Sequence, residues 1–300
     1  LKVPQLHNQQ KLIWLRWMHY RYHFASIRGN DVEDIESIIE DALESWNPER
    51  NILQTNPEIG AAILMVYIVH ADHLYKIGLA HKAIAQIEPV IHIYRRAGWD
   101  YRTAYATNKV GIFHHMHNQT EEGIQYLEES LQIFLRLDSV HAVSAMNSLG
   151  MCYQRLGTYD QSIHWYQESL ELGTKYKYYS GTTNCNLGSI YLVLGDYEKA
   201  LHEYHVGIRI LQRKNLVRQE MVYLGNLAMV HHHLGQFEEA QKLFEENIRM
   251  LTKFDSKRDL ALVSGNYGNL CLDMNHIELG VELLETCVSM AAEYNPLVKD

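Results

Sequence analysis

The feature that most constrains this chain is that its 300 residues repeat themselves about every 40. Five segments align without gaps: VGIFHHMHNQTEEGIQYLEES, LGMCYQRLGTYDQSIHWYQES, LGSIYLVLGDYEKALHEYHVG, LAMVHHHLGQFEEAQKLFEEN and YGNLCLDMNHIELGVELLETC. Their small anchor residues are Gly111, Gly150, Gly188, Ala228 and Gly268, spaced by 39, 38, 40 and 40, and a sixth copy is anchored 40 earlier at Ala71. Three positions after the anchor stand larger residues, Leu74, His114, Tyr153, Tyr191, His231 and Cys271. Seven after it comes a turn former in every copy: Gly78, Asn118, Gly157, Gly195, Gly235 and Asn275. Gly and Asn tolerate the left-handed backbone that ends a helix, so this column predicts the bend of a helical hairpin. Tyr159, Tyr197 and Phe237 follow two residues later and are expected to pack the corner. The second helix then carries a small residue (Ala83, Gly123, Ser162, Ala200, Ala240, Gly280) and, four later, a bulky one (Ile87, Leu127, Tyr166, Tyr204, Phe244, Leu284). That spacing puts a notch and a knob on one helix face. A period of this kind marks a stacked array, because a single hairpin cannot bury its apolar face alone.

Composition narrows the function classes. A hydrophobic content of 47% supports a packed core, and 27 basic against 36 acidic residues give a net charge of −9. That sign disfavours nucleic acid and anionic membranes as partners. Cys152, Cys185, Cys271 and Cys287 form no CxxC pair and read as small buried residues in a reducing compartment. The longest apolar run, Ala61 to Val69, is nine residues, against the ~20 needed to span a bilayer. Leu1-Lys2-Val3-Pro4 shows no signal-peptide pattern. The expected location is the cytoplasm.

The columns of small residue, Tyr, small residue and aromatic resemble the tetratricopeptide repeat over residues 60 to 292, with a weaker copy at 12 to 46. The expected fold is therefore all-α, a right-handed superhelical solenoid of helix-turn-helix repeats. Residues 1–58 are expected to hold an N-terminal helical pair and loop, and 59–300 six repeats with a C-terminal cap. The helix-breaking Pro that closes the 34-residue form is missing, and the extra residues are expected to lengthen the second helix. This longer style resembles the repeats of kinesin light chain, of the Pins/LGN adaptors and of the bacterial Rap/PlcR/NprR peptide receptors. Asn47 to Glu58, with Pro48 and Pro57, is expected to be a loop, Glu293 to Asp300 a frayed exit, and Pro89 to kink or restart its helix. Trp14, Trp17, Tyr20, Tyr22 and Phe24 crowd the N-terminal pair and suit either a cap or a dimer face.

The resemblance implies that the first helix of each pair lines a concave ligand groove. Two residues before the anchor stand Asn186, Asn226 and Asn266; farther along the same face come Ser189, Met229 and Asn269, then Val193, His233 and Asp273. Earlier repeats read Lys109, Ile112, Met116 and Ser148, Met151, Arg155, with Asn108 and Asn147 alongside. A carboxamide both donates and accepts, so an Asn column could hold an extended peptide backbone whatever its side chains. Such asparagines act in this way in the families named, while the competing reading has their side chains bonding backbone between adjacent helices. Lys109 and Arg155 could receive a ligand carboxylate, or pair with a nearby Glu of this chain.

Among 18 histidines, His114-His115 and His231-His232-His233 invite a metal reading. Consecutive helical residues diverge by ~100°, whereas helical metal pairs stand three or four apart, so no metal and no cofactor are expected. No GxSxG, P-loop or GxGxxG occurs, and the acidic pairs Glu121-Glu122, Glu128-Glu129, Glu238-Glu239 and Glu245-Glu246 recur on second helices as a solvated outer face. The expectation is a non-catalytic module holding a peptide or protein segment in its groove, in the manner of an intracellular peptide-sensing regulator. Residues 1 to 58 show no convincing helix-turn-helix. The alternatives are a scaffold that assembles a complex through its convex face or ends, possible also as a homodimer, and a helical enzyme or phosphatase-like effector.

Overall fold

The computed structural model describes residues 57 to 294 apart from 77 and 255. The N-terminal helical pair and its aromatic cluster therefore lie outside the described residues, as does the end of the C-terminal exit. Twelve α-helices and no strand occur among the described residues. They are α1 (Pro57–Lys76), α2 (Ala80–Arg96), α3 (Asp100–Met116), α4 (Thr120–Arg136), α5 (His141–Arg155), α6 (Tyr159–Lys175), α7 (Gly181–Leu194), α8 (Tyr197–Arg213), α9 (Val217–His233), α10 (Phe237–Lys253), α11 (Lys257–Asp273) and α12 (Ile277–Tyr294).

The chain divides into two compact units, 1–156 and 157–300. In the first, each of α1 to α4 packs on the next; in the second, each of α6 to α11 does so. The first helices also touch one another, α3 with α5, α7 with α9 and α9 with α11. The pattern is a stack of hairpins wired to their neighbours, an all-α repeat solenoid.

The turns follow from backbone demands. All six residues of the turn column have positive φ, from 61° at Asn275 to 85° at Gly78. Five of these bends close with the same bond, from the N–H eight residues after the anchor to the carbonyl three after it: Leu79 to Leu74, Gln119 to His114, Asp196 to Tyr191, Gln236 to His231 and His276 to Cys271, at 2.8–2.9 Å. This six-to-one closure satisfies a carbonyl that the helix end would leave orphaned. Second helices end the same way at Gly98, Asp138, Lys177 and Asn215, all with positive φ. Asp138 and Lys177 are departures from the glycine and asparagine rule.

Within the hairpins the small anchor faces the small residue of the second helix. A Cβ on Gly111 would stand 2.9 Å from the Gly123 carbonyl oxygen, and one on Gly123 would stand 2.7 Å from that of Gly111. Gly268 and Gly280 meet likewise, at 3.0 and 3.1 Å, and Gly188 approaches the Ala200 carbonyl at 3.3 Å. Backbones thus touch at the notch, and the knob beyond it fills the space between hairpins: Leu127, Tyr204 and Phe244 are fully buried. Second helices bury one stripe only, such as Ala240, Phe244, Asn247 and Leu251 of α10. First helices bury residues on several sides because a second helix flanks them before and after, and α3 buries nine of its 17 residues.

Two expectations need correction. Pro89 does not restart its helix, since α2 runs from Ala80 to Arg96 around it; the residue is exposed, so its ring faces water rather than a partner helix. The stretch read as a loop to Glu58 already turns helical at Pro57, where the fixed φ of proline suits a first turn.

His115 of α3 is 5% exposed, and its Nδ1 has no hydrogen-bond partner. Burial, helped by the charge of Arg155, pulls its pKa down to about 4. The folded state thus favours the neutral ring, while the unfolded chain takes up a proton near the ordinary value of ~6.5.

Three outcomes are expected. Gly123→Ala will destabilise the chain by ~1–3 kcal/mol through overpacking, read as a lower urea midpoint, although alanine is intrinsically the better helix former. Lys177→Gly will stabilise it by about 1 kcal/mol, the cost of a left-handed non-glycine residue. Stability will fall as pH drops from 6.5 towards 4, and urea midpoints of His115→Leu will follow a flatter acid limb by one proton.

Candidate functional site

In the second unit, α7, α9 and α11 present parallel stripes at spacings of four, three and four. They read Thr182, Asn186, Ser189, Val193 on α7; Val222, Asn226, Met229, His233 on α9; and Leu262, Asn266, Asn269, Asp273 on α11. The three asparagines are half-buried. Asn266 Nδ2 donates to Met229 Sδ at 3.2 Å, which joins α11 to α9. Tyr223 Oη donates to Asn186 Oδ1 at 2.7 Å, joining α9 to α7. Asn226 hydrogen-bonds the hydroxyl of Tyr204, which also meets Ser189 Oγ at 2.8 Å. Burial pushes the Tyr204 pKa up to about 12, against those two hydrogen bonds. Ser189 further donates to the Cys185 carbonyl at 3.0 Å. The asparagines thus do bridge adjacent helices, through side chains rather than backbone. A carboxamide has two donor hydrogens and two acceptor lone pairs, so the bond from Asn226 or Asn266 commits one part of its capacity.

Hydrophobic residues complete the face. Val193 is 61% exposed, Val222 52% and Leu262 64%. Val222 and Leu262 stand one turn before Asn226 and Asn266 and were missed in the sequence reading, although they recur at the 40-residue period. At the far end His233 stacks on Tyr197, ring centroids 4.9 Å apart, and Asn269 is exposed. His232 Nε2 pairs with Asp273 Oδ2 at 2.7 Å.

In the first unit the corresponding residues are occupied internally. Lys109 Nζ donates to both Asp72 oxygens at 2.9 Å. Burial opposes the Lys109 charge, yet the Asp72 carboxylate and the Tyr105 ring outweigh it and hold the pKa above the ordinary value. The intramolecular reading of Lys109 therefore describes the structure, with an aspartate as the acid. Arg155 is exposed and donates to Asn118 Oδ1 at 2.6 Å. Asn108 is 8% exposed and its amide lies 3.4 Å from Ser130 Oγ of α4, so it serves its own hairpin and not an open face. Asn147 is half-buried, its Nδ2 directed at Met151 Sδ at 3.7 Å, and Met151 is half-buried too.

The histidine clusters have local roles. His114 stacks on Tyr126 at 5.2 Å and meets Gln119 Oε1 at 3.0 Å; His231 meets Gln236 Oε1 at 2.6 Å and the edge of His205 at 6.0 Å. Each His–Gln pair straddles a turn already closed by the backbone bond between the same two residues. Among the described residues no group of three or more His, Cys, Asp or Glu is placed to hold a metal ion. All four cysteines are free thiols, and no described helix is long and apolar enough to cross a membrane.

Comparison with known proteins agrees with this geometry. Residues 141–213 and 219–293 match the tetratricopeptide repeat family model. No curated protein matches the chain by sequence. Among solved structures, the apo form of RapI superposes with a TM-score of 0.68 at 14% identity, covering 93% of this chain and 98% of its own. The Rap conjugation gene regulator of the plasmid pLS20, solved in complex with the Phr peptide, gives 0.62 at 16% identity, with 94% and 85% covered. BtubC (BKLC) from P. vanneervenii gives 0.63 at 15% identity, with 72% and 92% covered. At such identities the likeness concerns the fold. Hairpins, turns and family match together identify residues 141–293 as tetratricopeptide repeats, within an array whose fold is like that of the Rap proteins.

Proposed function

We propose that this chain is a non-catalytic, protein- or peptide-binding regulatory module that holds an extended peptide along the first-helix face of its second unit. The observation that carries the reading is the column Asn186, Asn226 and Asn266, half-buried on successive first helices, with Val222 and Leu262 exposed beside it. Carboxamides at this spacing suit a peptide backbone, which offers a donor and an acceptor at every residue. The exposed valines and leucine, with half-buried Met229 between them, suit apolar side chains. A Rap protein solved with a Phr peptide supports the reading by analogy of fold. An intracellular peptide-sensing role fits unpaired thiols, since reducing compartments keep cysteines in that state.

Asn226 and Asn266 are the key residues, and the exchange they make is of one side-chain partner for a ligand amide. Titration with a pooled library of short peptides, followed by fluorescence anisotropy, is expected to yield binders. Asn226→Ala and Asn266→Ala will each weaken them about tenfold, the loss of hydrogen bonds at ~1 kcal/mol apiece. Val222→Asp and Leu262→Asp will weaken the same peptides. Binding indifferent to all four changes would sink the proposal.

A further inference from the structure

The repeat register allows α12 to be compared residue by residue with α8 and α10. Sixteen residues after the anchor, α8 and α10 carry Tyr204 and Phe244, each 0% exposed, and twenty-three after it Leu211 and Leu251, each 1% exposed. Between them, Ile208 is 6% exposed and Ile248 half-buried. The following first helix covers these columns. Leu224, Leu227 and Val230 of α9 share a core cluster with the α8 residues, and Val263, Tyr267 and Leu270 of α11 share one with those of α10. On α12 the same columns hold Leu284, Val288 and Ala291; here Leu284 is half-buried and Val288 67% exposed, and Val281, one turn before Leu284, is 45% exposed. A depression of about 410 Å³ runs along Val281, Leu284, Glu285, Val288 and Ser289. The surface is one that the interior of the array buries under a helix.

Charge narrows the occupant. Lys199, Arg209 and Arg213 punctuate α8, and Lys242, Arg249 and Lys253 punctuate α10, whereas α12 has no basic residue. Its exposed Glu278, Glu282 and Glu285 flank the apolar line, and Glu285 lines the depression itself. A second copy applied α12 to α12 would press these carboxylates together, and like-charge juxtaposition across an interface costs several kcal/mol. We infer that the open face of α12 is a docking surface for a basic amphipathic helix of a partner protein, seated as a first helix is seated on α8 and α10. The covering helices in this chain show what such a partner needs: apolar residues three or four apart, as Leu224, Leu227 and Val230 or Val263, Tyr267 and Leu270 are. Lysines or arginines beside that stripe would meet the three glutamates. This surface is separate from the asparagine column and does not depend on its reading.

The test uses the full chain and a labelled helical peptide of the length of α11, with leucines three and four apart and lysines flanking them. A twin peptide carries glutamates instead of the lysines. By anisotropy, the lysine peptide will bind at least tenfold more tightly than its twin, and added salt will weaken it. Val281→Asp and Val288→Asp will each reduce its affinity about tenfold, while Asn226→Ala will leave it unchanged. Glu282→Lys with Glu285→Lys, both exposed positions, will shift the preference towards the glutamate twin and keeps the test open should either aspartate variant lower the melting temperature. Equal binding of the two peptides, or affinity indifferent to the glutamate reversals, overturns the proposal. So does a concentration-dependent dimer in sedimentation that Val288→Asp dissolves, since the occupant is then a second copy.

Discussion

Everything in this molecule follows from how closely two helix backbones meet at the small–small notch. Where Gly111 faces Gly123, or Gly268 faces Gly280, no side chain intervenes and each carbonyl lies against the neighbouring backbone. That approach sets the position of the second helix, and with it the aim of the knob four residues on. Leu127, Tyr204 and Phe244 can then fill the space between hairpins completely. The turn column serves the same end, because a left-handed residue and a six-to-one bond reverse the chain with almost no loop. Anchor, turn, notch and knob are thus one geometric device repeated.

Two kinds of joint result. Inside a hairpin, and between a second helix and the next first helix, contacts are apolar and buried. Between successive first helices they include polar, partly exposed links: Lys109 with Asp72, Tyr223 with Asn186, and Asn266 with Met229. These three links each span 37 residues, so the stripes double as structural joints. The face proposed to hold a ligand is therefore also the face on which neighbouring hairpins of a unit communicate.

The architecture was legible because its rules concern the backbone. Only small residues fit the notch, and glycine or asparagine suit the bend, so those columns stand out in a single sequence. The stripes were legible as helical spacing. Their bonding was not, because partners such as Asp72 for Lys109 lie a repeat away, and the pairing depends on helix rotation rather than on residue type. Asn108 illustrates the limit: one position from Lys109, it turns inward to Ser130, a matter of ~100° of helix angle. Lys177 carries no chemical mark of the left-handed backbone it adopts. Val222 and Leu262 carry no sign of their exposure in the sequence, since periodicity alone does not say which apolar column meets water.

Helices wired mainly to their neighbours have a further property. Among the described helices of each unit, the main contacts run to the next helix or the next but one, so forming them requires closing a loop no longer than about one repeat. The entropy of loop closure is then small at every step. Contact order is low for the length of the chain, the condition under which folding is fast and largely local. A segment such as α9–α10–α11, with its shared core of Phe244, Leu251, Val263 and Leu270, can therefore nucleate and spread in either direction. Assembly of the array becomes a process of growth from a seed rather than a single global search.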